Sequence, residues 1–106
     1  IYLGAASLKA EAANYKSTIT INGGTFEAKA QEYDQYWVLN VQDQFYAAGS
    51  DIVVKGGSYK NFNPANNLAE GADTRFVPTT GYTVSDEVGT NGKTTYTVTK
   101  TATVSE

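Results

Sequence analysis

Acid–base chemistry in this chain would fall to carboxylates, because its 106 residues include no histidine and no cysteine. The candidates are Glu27, Glu32, Asp34, Asp43, Asp51, Glu70 and Asp73. A pair of them would suffice for glycoside hydrolysis, which needs one acid and one nucleophile or base held at a defined separation. No spacing singles out a pair, and scattered acids ordinarily form solvated surface. Polysaccharide lyase chemistry would need acids holding a calcium ion plus a base, with Lys55, Lys60 and Arg75 as the available cations. "NPANNLAEGAD" carries oxygen ligands but lacks the acids at alternate positions of a calcium loop, and reads as a turn-forming segment. Without His or Cys, histidine triads, thiolate nucleophiles and zinc–thiolate sites are excluded. The Gly-Gly pairs at 23–24 and 56–57 have neither the GxxxxGK[ST] pattern nor a following helix, so they cradle no phosphate. No catalytic residue, metal site or cofactor is expected.

Binding has better candidates. Eight tyrosines, four phenylalanines and one tryptophan are present, and five of these rings fall in "EYDQYWVLNVQDQFY" among Asn, Gln and Asp. Flat rings beside amides suit sugar stacking or a protein partner. If the stretch is a strand, Trp37 shares its phase with Leu39 and Val41 and packs inward, while Val38 faces out. Tyr36, in the opposite phase, with Tyr33 and Tyr46 near the strand's ends, are the candidate ligand-binding residues. The plainer reading is that tyrosine is simply a good strand former.

These side chains must be positioned by β structure. Thr, Val, Ile and Tyr recur in short alternating runs separated by Gly, Asn, Asp and Ser. Only "LKAEAAN" near Leu8–Ala13 offers a helical turn or two. The runs contain a repeat. Ile19, Ile21, Gly23, Gly24 and Phe26 match Ile52, Val54, Gly56, Gly57 and Tyr59 at a constant offset of 33 residues. A fixed period of this size marks units that bury their apolar faces by stacking on one another. The segment between the copies contains "YWVLNV" rather than two amphipathic helices, so the fold class is all-β: a short right-handed parallel β-helix of about two to three coils, then a loop and a C-terminal β-hairpin. Ile19-Thr20-Ile21 and Ile52-Val53-Val54 are expected to lie one layer apart, ~4.8 Å, with the Gly-Gly pairs at the corners. "TFEAKA" and "SYKNFN" form a second face, "YWVLNVQD" a third, and "IYLGAAS" supplies the strand that the third face continues.

Residues 1–63 are read as coils, 64–80 as a connecting loop and 81–106 as a hairpin cap, all within one domain. In "GYTVSDEVGTNGKTTYTVTK" a two-residue Asn91-Gly92 turn would set apolar side chains against polar ones across the pair. A three-residue loop, Thr90-Asn91-Gly92 with Gly92 left-handed, keeps Tyr82, Val84, Tyr96 and Val98 on one face and is preferred.

The bulk numbers agree with a single globular domain: 41% hydrophobic residues and 18% charged. A net charge of −3 with dispersed cations gives no stripe for nucleic acid or anionic lipid. No run is long and apolar enough for membrane insertion, and the N-terminal residues lack the features of a signal peptide. The absence of Met, even at position 1, is explained if the chain is a piece of a longer protein.

"ITINGGTF", "IVVKGGSY", "KNFNPANNLAEGADTRFVPTTGYTV" and the closing "TTYTV" resemble the carboxy-terminal, pectate-lyase-like β-helix of fibre proteins from phages of gut Bacteroidetes, crAss-like phages among them. The resemblance runs from about Ser17 to Thr99. It implies a right-handed parallel solenoid, a homotrimer, location on the virion or at an extracellular or cell surface, and attachment to host glycans or cell-surface proteins without catalysis. A carbohydrate-active lyase or glycosidase fragment is the rival class, and a bacterial surface protein with the same solenoid is a third. A two-layer stack exposes an apolar end. Upstream chain would cap its start, and the loop and hairpin from Asn61 would fold over its finish; within a trimer, Val38 and Val53 would lie on the lateral contacts.

Overall fold

The computed structural model describes residues 1–4, 16–28 and 36–101. The helical turns expected near residues 8–13, and the candidate Tyr33, lie outside them. Strands dominate: β1 (Tyr2–Leu3), β2 (Thr18–Ile21), β3 (Thr25–Glu27), β4 (Asn40–Val41), β5 (Asp51–Val54), β6 (Gly57–Lys60), β7 (Tyr82–Val88) and β8 (Thr94–Lys100). A single helix among the described residues, α1 (Asp43–Ala47), interrupts them.

The sequence repeat is a spatial register. β2 pairs in parallel with β5, Ile19 opposite Ile52 and Ile21 opposite Val54, and β3 pairs in parallel with β6, Phe26 opposite Tyr59. Each residue thus lies beside its copy 33 positions later. A third parallel pair joins β1 to β4, Leu3 opposite Val41, at an offset of 38. Residues 4–17 join β1 to β2, whereas residues 42–50 join β4 to β5; the first connection is five residues longer, which accounts for the difference in offset. Inward side chains stack in rows. The Phe26 and Tyr59 rings lie 5.3 Å apart at an interplanar angle of 22°. Ile21, Leu39, Val41, Ile52, Val54 and Tyr59 form most of the core, joined by Phe62, Phe76, Val77 and Val98 from the later segments.

The two Gly-Gly corners differ. Gly24 and Gly57 both have positive φ, +111° and +98°, which L side chains rarely adopt. Gly56 is required for closeness instead: a Cβ there would lie 2.2 Å from the Asn22 carbonyl oxygen of the layer beneath. At Gly23, its equivalent in the first layer, a Cβ would meet nothing within 4 Å.

Segments after Lys60 close the far side of the second layer. β8 adds antiparallel to β6, making the mixed sheet order β3-β6-β8-β7. Phe76 accepts a hydrogen bond from Val54 N–H, 2.8 Å, and its ring stacks on Phe62. The β7–β8 register is the one the three-residue loop requires, Val84 opposite Val98 and Val88 opposite Thr94, with Gly92 at φ +78°.

Two expectations are corrected around Trp37. Val38, assigned outward, is buried, and Trp37, assigned to the core, is only partly buried. The chain bends at 38–39, so strand alternation does not extend back from Asn40. Val38 is therefore not available for lateral contacts, and Val53 is half-buried. The long strand expected over "YWVLNVQD" is the two-residue β4, followed at once by α1, which carries Phe45 and Tyr46.

Candidate functional site

One polar cleft among the described residues is built by "NFNPANNLAEGAD". Its asparagines first make the loop. Asn61 takes a left-handed conformation, φ +54°, which Asn tolerates better than most residues. It donates its N–H to Thr94 O, 2.7 Å, and accepts Thr94 N–H on Oδ1, 2.9 Å. Asn63 Oδ1 accepts from Ala65 N–H and Asn67 Oδ1 from Ala69 N–H, two Asx turns. Asn67 Nδ2 donates to Asn63 O, and the Asn67 and Thr74 main chains bond reciprocally at 3.0 and 2.9 Å.

Around these turns lies an open cleft of about 340 Å³, whose lining includes Asn61, Asn63, Asn66 and Asn67 together with Leu68, Asp73 and Tyr96. Leu68 is half exposed. Among the described residues no Lys or Arg lines the cleft, and Asp73 is its one carboxylate.

Tyr36 lies elsewhere. Lys93 Nζ sits 5.8 Å above its ring centroid, a cation–π contact, and also pairs with Glu27 at 3.3 Å. Lys60 approaches the same carboxylate at 3.8 Å. Beside them a cleft of about 270 Å³ is lined by Thr25, Phe26, Glu27 and Trp37 among others. Tyr46 belongs to a different neighbourhood. It is exposed on α1, and burial, then the charges of Asp51 and Glu70, push its hydroxyl pKa upward. The three candidate tyrosines thus do not form one described site: Tyr36 faces a cation, Tyr46 faces acids, and Tyr33 is outside the described residues.

Of the seven carboxylates, Glu32 and Asp34 also lie outside the described residues. Glu70 lies within electrostatic reach of both Asp43 and Asp51. Glu70 Oε2 accepts the Val41 N–H at 2.7 Å, taking the place a neighbouring strand would hold on β4. Its Oε1 is buried and has no hydrogen-bond partner. Desolvation raises the Glu70 pKa, the Val41 bond opposes this, and Asp43 and Asp51 raise it further. Asp51 is also raised by desolvation, against the Ile52 N–H that it accepts. Arg75 is turned to its own loop, Nε donating to Val77 O and Nη2 to Pro78 O. Neither cleft described above is lined by Asp43, Asp51, Glu70 or Arg75. Among the described residues, no group of three acids has the arrangement of a metal site.

Sequence reasoning missed the asparagine cleft because Asn next to Pro and Gly reads as turn chemistry. Four asparagines within seven residues, followed by a strand bearing Tyr96, was the available signal. Glu70's inward role had no sequence signal. Comparison with known protein families, curated proteins and solved structures returns no match.

Proposed function

We propose that this chain is a noncatalytic structural and attachment module: the terminal part of a trimeric, right-handed parallel β-helical fibre of a phage of gut Bacteroidetes, displayed on the virion and turned toward host glycans or cell-surface proteins. The observation that carries this reading is the one-sided stack. Among the described residues β2 and β3 pair on one edge only, with β5 and β6, while the second layer is covered by β8 and by the loop through Phe76. Further coils on the open side would continue the same register. Gly23 supports this, because its lack of a Cβ answers no contact with the described residues and no positive φ, yet its counterpart Gly56 needs it against the layer beneath. Exposed Ile1 and Tyr2 on the first layer and Val88 on the hairpin supply apolar surface for packing between coils or subunits.

A second reading, a carbohydrate-active fragment, is favoured by Glu70 lying within electrostatic reach of Asp43 and Asp51. Incubating the chain with acidic and neutral polysaccharides separates the two. Retention on glycans or host cells with no new reducing ends supports attachment; chain cleavage that disappears in Glu70→Gln and Asp51→Asn supports the enzyme and overturns the first reading.

A further inference from the structure

We propose that the cleft between the asparagine loop and β8 binds an uncharged saccharide, one or two rings deep; this deepens the attachment reading and rests on it. Its volume of about 340 Å³ lies at the small end of the ~300–1,000 Å³ of small-molecule sites. The wall is suited to hydroxyl groups. Asn61 and Asn63 engage their Oδ1 atoms on Thr94 and Ala65 N–H groups, which fixes the side chains and leaves their Nδ2 donors for an occupant. Asn66 is exposed at the same wall and supplies both a donor and an acceptor. Tyr96 and the half-exposed Leu68 add an apolar surface, the usual partner of a sugar's C–H face. Among the described residues of the lining, Asp73 supplies the only formal charge and no cation offsets it. Acidic sugars are therefore repelled and neutral ones accepted. The loop is also preorganised by its own hydrogen bonds, so binding orders few groups.

The cleft lined by Glu27 and Trp37 is the weaker candidate because Glu27 there is already paired with Lys93 and Lys60.

The test is titration of the ¹⁵N-labelled full chain with cellotetraose, mannotetraose and an N-acetylglucosamine tetramer, with sialyllactose as the anionic probe. The expected result is that at least one neutral oligosaccharide shifts the backbone amides of 61–63, 65–68, 73 and 96, and that sialyllactose does so more weakly. Asn66→Ala removes a side chain outside the loop's own bonds and should weaken binding about five- to tenfold with unchanged thermal unfolding. Asp73→Asn, which tolerates the same left-handed backbone, should narrow the discrimination against sialyllactose, a change that a purely structural role would not produce. Neutral oligosaccharides that leave these amides unmoved, or sialyllactose binding as well as they do, would overturn the proposal. Shifts confined to Thr25, Glu27 and Trp37 would overturn the asparagine cleft while keeping the attachment reading. Binding at the cleft by a monomeric chain would keep the cleft and overturn the trimeric fibre.

Discussion

Gly56→Ala and Gly23→Ala place the same methyl group at equivalent corners of the two layers, and the expected effects have opposite signs. At Gly56 the Cβ would sit 2.2 Å from Asn22 O and 2.8 Å from Asn22 C, both main-chain atoms that cannot rotate away. Relief requires parting β2 from β5 beside the Lys55 N–H to Ile21 O bond, 2.7 Å, and the Ser58 N–H to Gly24 O bond, 2.8 Å. Overpacking costs about 1–3 kcal/mol, and each weakened bond about 1 kcal/mol. Reduced entropy of the unfolded chain returns about 0.4–1 kcal/mol. The net loss is about 3 kcal/mol, which in a domain of this size lowers Tm by about 12–24 °C. At Gly23 the methyl enters open space and φ is not positive, so only the entropic gain remains, and Tm should rise by a few degrees. Thermal unfolding followed by circular dichroism reads both. Equal destabilisation by the two substitutions, or tolerance of alanine at Gly56, would refute the layer-on-layer corner. With a further coil stacked on the first layer, Gly23→Ala should become as harmful as Gly56→Ala.

Other perturbations probe separate links. Glu70 has its pKa raised in the fold, so the native state retains a proton that the unfolded chain releases. Its contribution to stability is largest below the ordinary carboxylate pKa and is lost as pH rises through the folded value. Glu70→Gln keeps an acceptor for Val41 N–H, and should raise Tm at neutral pH and flatten that slope; denaturation at several pH values checks it. Tyr59→Phe removes the hydroxyl that donates to Gly56 O at 2.8 Å in the core, and should cost about 1–2 kcal/mol in urea unfolding. Burial pushes the Tyr59 pKa up to about 12, so spectrophotometric titration should show it as a late-ionising tyrosine, with stability falling as pH rises from about 10 toward that value.

The parts of the fold legible in the sequence are those in which a residue faces its own copy. A parallel ladder sets Ile19 against Ile52 and Phe26 against Tyr59, so self-similarity along the chain encodes register. The hairpin was legible for a related reason: one-residue slips would mix faces, and Gly92 permits the left-handed residue of the favoured loop. The β1–β4 pair offered no numerical repeat, because it has only two residues per strand and a connection five residues longer. Trp37 and Val38 were misplaced because parity was counted through a bend, and α1 was missed because five residues carry too little periodicity to register. At the candidate sites, Tyr36 is half-buried, and its cation partner Lys93 is 57 residues away and invisible to local pattern. The asparagine cleft depends likewise on Tyr96 meeting a loop that ends more than twenty residues before it.

Multi-angle light scattering of the purified chain across a concentration series tests the trimeric fibre reading most directly. A stable species at three times the 11.4 kDa chain mass, persisting on dilution, is the expected result. A monodisperse 11.4 kDa monomer at every concentration would contradict it.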